Sequence, residues 1–201
     1  MTTARARVLL SVVVCALAQA AAARADLVGT LSLDALSYIA FQGYGNLSLP
    51  AGSSVQFHFG AAQPDGSVPF TITPGDVSIG PIPVQAGSTL HYGLASGASG
   101  TIRRSAGGLQ ITFEAAVQAS LDQPAGGGTT NYALAFTTQS TSATNAAGTQ
   151  TVALTGTPVV QGPNYVQLVA GATNRPDAFP GPGAAVYGVL SGTFDQLPNL
   201  P

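Results

Sequence analysis

Eleven consecutive residues, Ile111 to Leu121, obey one two-residue period. Ile111, Phe113, Ala115, Val117, Ala119 and Leu121 alternate with Thr112, Glu114, Ala116, Gln118 and Ser120. Successive side chains of a strand point to opposite faces, so this stretch is satisfied by a strand with one buried face. A strand buried on both faces of a parallel sheet would be apolar at every position. The pattern recurs where Tyr132, Leu134 and Phe136 alternate with Asn131, Ala133, Ala135 and Thr137, and where Val55, Phe57 and Phe59 alternate with Gln56 and His58. Phe113, Phe136 and Tyr132 are thereby assigned to the core. Further strands are predicted at Leu27 to Leu33, Tyr38 to Phe41, Asn46 to Leu49, Val68 to Thr73, Thr89 to Leu94, Gln150 to Thr155, Tyr165 to Val169 and Val186 to Phe194.

Between these segments lie turn signals such as Pro64-Asp65-Gly66, Pro74-Gly75-Asp76 and Gly162-Pro163, and no segment sustains a 3.6-residue period with caps. The expectation is an all-β fold: a single antiparallel β-sandwich of jelly-roll or Greek-key type with roughly ten strands, the alternative being a closed β-barrel. No repeat and no interior linker divides the chain.

Residues 1–25 read as a secretory signal peptide. Arg5 and Arg7 precede an apolar run from Val8 to Ala18, and Ala23-Arg24-Ala25 supplies a small-residue cleavage site before Asp26. The run is short of the ~20 residues that span a bilayer, and Cys15 lacks the small residues that precede a lipid-modified cysteine. The C-terminal Leu197-Pro198-Asn199-Leu200-Pro201 suggests no anchor. The expected product is residues 26–201, one secreted β domain, periplasmic or extracellular, with no membrane span after cleavage. Removal of the leader takes away the only Cys and Met and half of the six arginines, in a chain without Lys. Three arginines then face eight acids, a net charge of −5. So acidic a balance speaks against nucleic acid as partner, and without cysteine no disulfide holds the fold.

Few residues could carry chemistry. His58 and His91 are too few for a closed zinc site, and both fall on the polar faces of their strands, where hydrogen bonding on the sheet surface is the simpler role. If the two strands pair, they become cross-strand neighbours. Gly-x-Ser-x-Gly is absent, Glu114 is the only Glu, and most of the seven Asp lie at turns, so a hydrolase is a remote alternative. Gly43-Tyr44-Gly45 lacks the context of a dinucleotide loop, and Asp65 and Asp76 lack the spacing of a calcium loop. No cofactor is expected. Asn46-Leu47-Ser48 fits a glycosylation triplet by composition alone. Arg103-Arg104 reads as a guard at a strand end.

The candidate binding residues are Arg175, Asp177 and Phe179, grouped within a proline-rich stretch from Ala170 to Gly183, and Tyr38 and Tyr44, an aromatic pair around Gly43. Loops this long are uncommon unless functional or disordered. The function expected is non-catalytic, by protein interaction or assembly, with a carbohydrate-binding module as the alternative; a glycan, another protein or a second copy is the partner. Pro69, Pro81, Pro83 and Pro158 mark segments expected at solvent-facing edges. The segments around Gly29-Thr30-Leu31 and Gly192-Thr193-Phe194 read as interior rungs that pair with each other and close the sheet.

Overall fold

The structure is a computed structural model that describes residues 27–41, 45–84, 87–105, 108–122, 127–138, 149–151, 158–160, 162, 164–172 and 187–200. Its strands are β1 (Leu27–Leu33), β2 (Tyr38–Phe41), β3 (Gly45–Ser48), β4 (Ser54–Phe59) and β5 (Val68–Ile72). A 3-10 turn (Pro74–Asp76) leads to β6 (Val77–Ser78), β7 (Ile82–Pro83), β8 (Thr89–Leu94), β9 (Ala98–Ser105) and β10 (Gly108–Asp122). β11 (Gly128–Thr138), β12 (Thr149–Thr151), β13 (Pro158–Val160), β14 (Tyr165–Ala172) and β15 (Tyr187–Phe194) complete the chain.

Eight of these form a closed antiparallel barrel in the order β1-β4-β5-β9-β10-β11-β14-β15, with β15 returning to β1. The terminal segments make the seam, Leu31 opposite Phe194, Ser32 opposite Thr193 and Leu33 opposite Gly192. The expected sandwich is therefore not the arrangement found, and the barrel alternative is. The expected pairing of the first strand with the last is found, and it closes one continuous sheet rather than one layer of two. β2 and β3 extend the sheet from β15, β8 and β7 extend it from β10, and β12–β13 form a separate two-stranded ladder.

Three barrel strands change neighbours along their length: β4 passes from β6 to β5, and β10 and β15 switch as well. β10 pairs with β9 from Gly108 to Glu114 and with β8 from Val117 to Asp122. At this handover the carbonyl of Ala116 accepts a hydrogen bond from the amide of Ala95, 2.8 Å away. β15 likewise pairs with β2 from Tyr187 to Val189 and with β1 from Gly192 to Phe194. The backbone of Ser191 falls between them and takes its partners from the β1–β2 turn, as described below. Buried backbone groups need such partners, so these contacts let one strand serve two neighbours.

The inward rows follow the alternation of the sequence. Phe57, Phe70, Ile72, Ile102, Ile111, Leu134, Leu168 and Phe194 are all 2% exposed or less. The Phe57 ring meets Phe70 at 4.9 Å and Phe194 at 5.0 Å edge-on, and Phe113 stacks on Phe136 at 4.5 Å. An eight-stranded barrel is just wide enough for such side chains to fill it. Inward glycines make the close approaches possible. A Cβ at Gly100 would lie 2.3 Å from the Thr112 carbonyl oxygen and 2.7 Å from the Phe70 ring, and one at Gly192 would lie 2.1 Å from the Ser32 carbonyl oxygen.

The sequence predicts no strand at β9, because two of its inward residues, Ala98 and Gly100, are too small to show an apolar alternation with Ile102. Nor is β5 an edge despite Pro69, for it lies between β4 and β9. The pyrrolidine is tolerated because Pro69 turns its backbone groups toward Gly60, just past the end of β4, whose amide donates to the Pro69 carbonyl (2.8 Å), so the missing donor falls beyond the β4–β5 ladder and is not asked for by β9. Pro83, in β7, does sit beyond the barrel. Arg103 and Arg104 fall where β9 runs past the start of β5 and has only β10 beside it.

Candidate functional site

The outward face of β4, β5 and β9 holds a cleft of about 690 Å3 lined by His58, Gly60, Pro69, Thr71, Ser99 and Thr101, among others. It exists because β4 changes partner. Its Phe59 end lies along β5, while its Ser54–Val55 end lies along β6, so β5 and β4 splay apart just beyond Thr71. The 3-10 turn fills one end of the gap. Phe59 and Phe70 also line the cleft but point inward, at 3% and 2% exposed, so they supply backbone to its floor.

Register puts the polar groups of this face in one row: His58 opposite Thr71, Thr71 opposite Ser99, and Ser99 opposite Glu114. His58 Nε2 lies 3.1 Å from Asp76 Oδ1. A carboxylate can only accept, so Nε2 carries the proton and Nδ1 of the neutral ring is left as an acceptor. Asp76 Oδ2 accepts from the Thr73 amide (2.6 Å) and from Thr73 Oγ1 (2.7 Å). Its side chain is 11% exposed against 37% for His58, so Asp76 is the anchor and the imidazole the accessible member. Burial opposes ionisation of Asp76, but the hydrogen bonds from Thr73 and His58 outweigh it and hold the carboxyl below its ordinary 3.8. The second histidine forms a looser pair, His91 Nε2 to Asp122 Oδ2 at 3.1 Å, with both side chains exposed. His58 and His91 are not cross-strand neighbours, since β8 lies beside β10 and β7.

A different polar cluster lies outside β14 and β15. Ser37 Oγ donates to the Ser191 carbonyl and accepts from the Ser191 amide, each at 2.9 Å, and the same carbonyl accepts from the Asp34 amide at 2.9 Å. Gln167 Nε2 donates to Ser191 Oγ (3.0 Å), and Tyr165 OH donates to Asp34 Oδ2 (3.0 Å). Ser37, Gln167 and Ser191 are 1% exposed or less. Burial pushes the Tyr165 phenol up to about 12; a hydrogen bond to Ser191 works the other way, and the Asp34 carboxylate adds to the rise.

Of the residues singled out in the sequence, Arg175, Asp177, Phe179 and Tyr44 lie outside the described residues, as do the side chain of Tyr132 and the stretch 173–186. Tyr38 is in β2, half-buried, opposite Val189 and Ser48. Asn46 is exposed on β3. Asp65 accepts from the Ser67 amide and hydroxyl, and these bonds hold its carboxyl low, so like Asp76 it braces its own turn. Among the described residues no three His, Cys, Asp or Glu side chains group as metal ligands. The Thr71–Ser99 row has no sequence signal beyond the alternation around Thr71, because the segment carrying Ser99 holds too few apolar residues to read as a strand. Comparison with protein-family models, with curated proteins and with solved structures finds no match.

Proposed function

We propose that this is an exported, non-catalytic protein that works by interaction or assembly through the outside of its barrel. The observation that carries the reading is the division of labour across the sheet. The inward rows are packed with aromatic and aliphatic side chains. The outward positions of β9 and β10 carry Ser99, Thr101, Arg103, Gln110, Thr112, Glu114 and Gln118. An outward face of this kind suits an aqueous compartment, because a membrane barrel needs an apolar band facing lipid. Among the described residues the hydrogen bond His58 makes is to Asp76, and hydrolysis would also need a nucleophilic hydroxyl within about 3.2 Å of the other ring nitrogen.

Export is tested by the N-terminus of the product recovered from periplasm or medium, which should begin at or near Asp26. Interaction is tested by sedimentation over a wide concentration range together with cysteines at Ser32 and Thr193 in a Cys15→Ser background. Intramolecular cross-linking is expected, leaving assembly to surfaces other than the seam. A hydrolytic activity of the purified chain that disappears in His58→Ala would overturn the non-catalytic reading. The second reading, a carbohydrate-binding module, is favoured by the cleft beside His58.

A further inference from the structure

We propose that the cleft between β4, β5 and β9 binds a neutral saccharide, with His58, Thr71 and Ser99 as its hydrogen-bonding row and the Pro69 ring as its apolar wall. This rests on the carbohydrate-binding reading and gives it a place. The place differs from Tyr38, Tyr44 and the Ala170 to Gly183 stretch, where the sequence alone directed attention.

Three observations carry it. First, three polar atoms facing the cleft lack protein partners among the described residues. His58 Nδ1, Thr71 Oγ1 and Ser99 Oγ make no hydrogen bond there, whereas Thr73 and Thr101 of the same lining are bonded to Asp76 and Thr112, and some polar side chains elsewhere are paired as well. Arg103 Nε donates to Gln110 Oε1 at 2.7 Å, Thr129 to Ser120 at 3.1 Å, and Ser67 to Asp65 at 2.7 Å. Second, the three groups are in register on three adjacent strands, so they span about 10 Å at about 4.8 Å per strand. They present one acceptor followed by two hydroxyls that both donate and accept, which matches a row of sugar hydroxyls.

Third, the charges disfavour the obvious competitor. Among the described residues, His58 is the one ionisable side chain lining the cleft, and Asp76 already faces it. Glu114 stands beside Ser99 at the other end of the row, so carboxylates flank both ends and disfavour an anionic ligand. Arg103, the nearest cation along β9, is turned to Gln110. The Pro69 ring and the methyl groups of Thr71 and Thr101 supply the apolar surface against which the C–H face of a sugar ring packs.

The experiment is an amide chemical-shift titration of the 26–201 chain with cellotetraose, chitotetraose, maltotetraose and mannotetraose, and in parallel with inorganic sulfate. At least one tetrasaccharide should shift the amides of His58, Thr71, Ser99 and Thr101 with a Kd of about 1 mM or tighter. Thr71→Val combined with Ser99→Ala should weaken it by about tenfold or more with Tm unchanged. If no tetrasaccharide shifts any amide, the site and the carbohydrate-binding reading fall together. If shifts appear only elsewhere, around Tyr38 for example, or are untouched by the double substitution, the site falls and the reading stands. Binding of sulfate alone at the cleft overturns the proposal in favour of an anion site.

Discussion

The two sides of the barrel's outer surface use similar residues to opposite ends. Outside β14 and β15, Asp34, Ser37, Tyr165, Gln167 and Ser191 are bonded to one another or to backbone, and outward Val189 is only 1% exposed. Outside β4, β5 and β9, Thr71 and Ser99 are exposed and lack partners among the described residues. The alternation of each strand is the same in both places. The difference lies in how each break in the ladder is met: β15 passes from β2 to β1 and is patched at Ser191 by a neighbouring turn, whereas β4 passes from β6 to β5 and the 3-10 turn takes up His58 through Asp76, while β5 keeps β9 along its whole length. Thr71 and Ser99, on the unbroken β5–β9 pair, are drawn into neither repair.

Both faces stand on one aromatic core, so the largest perturbation should abolish the contrast altogether. Phe57→Ala removes a ring that touches Phe59, Phe70, Phe113 and Phe194, and should cost about 3–5 kcal/mol in denaturant unfolding. Gly192→Ala acts on the seam side alone. Its new Cβ would meet backbone rather than a flexible tip, so a loss of about 1–3 kcal/mol is expected, with accelerated exchange of the β1 and β15 amides. A neutral Gly192→Ala would mean that the barrel is not closed where the register places it. Ser37→Ala should cost about 1–3 kcal/mol, because it strips the buried Ser191 amide of its acceptor.

How much of this was legible in the sequence depends on range. Alternation is local, so β1, β2, β8 and β10 could be read from runs such as Thr89 to Leu94 and Ile111 to Leu121. The pairing of the first strand with the last was legible from the Gly-Thr-hydrophobic rungs Gly29-Thr30-Leu31 and Gly192-Thr193-Phe194, although a closed barrel ranked behind a sandwich. Both architectures bury one face of each strand, and periodicity cannot separate them. Gly100-Thr101-Ile102 carries the same three-residue signature, inward glycine, outward threonine, inward hydrophobic residue, and this is the local mark of β9, the strand that bears Ser99. The His58–Asp76 pair depends on β4 meeting the 3-10 turn after β5, a tertiary event with no local signature.

The seam side should also be the more sensitive to alkali. The Tyr165 phenol titrates at about 12 in the folded protein and near 10 when unfolded. The folded state therefore holds its proton more tightly, and this contribution is complete below pH 10 and is lost as pH rises through about 12. Thermal unfolding followed from pH 9 upward should show a steeper fall in Tm for the parent than for Tyr165→Phe. The phenylalanine variant starts lower, having lost the bond to Asp34. Parallel curves would show that Tyr165 ionises in the folded state as freely as an exposed phenol.

The smallest effect on stability belongs to the open face, and its smallness sharpens the contrast. Thr71 and Ser99 are exposed, point away from the core and form no hydrogen bond with the described residues, so neither buries a group that its removal would leave stranded. Thr71→Val keeps the β-branched shape that suits a strand, and Ser99→Ala deletes one solvated hydroxyl; each should change the unfolding free energy by no more than about 0.5 kcal/mol. Ser37→Ala, another removal of a single hydroxyl, then becomes the matched control, differing only in burial and in the Ser191 backbone it satisfies. Denaturant midpoints of the three variants, measured side by side, decide the matter. If Ser99→Ala destabilises as much as Ser37→Ala, the hydroxyl of Ser99 is holding the fold together, and the open face is a second patched seam rather than a surface left free for a ligand.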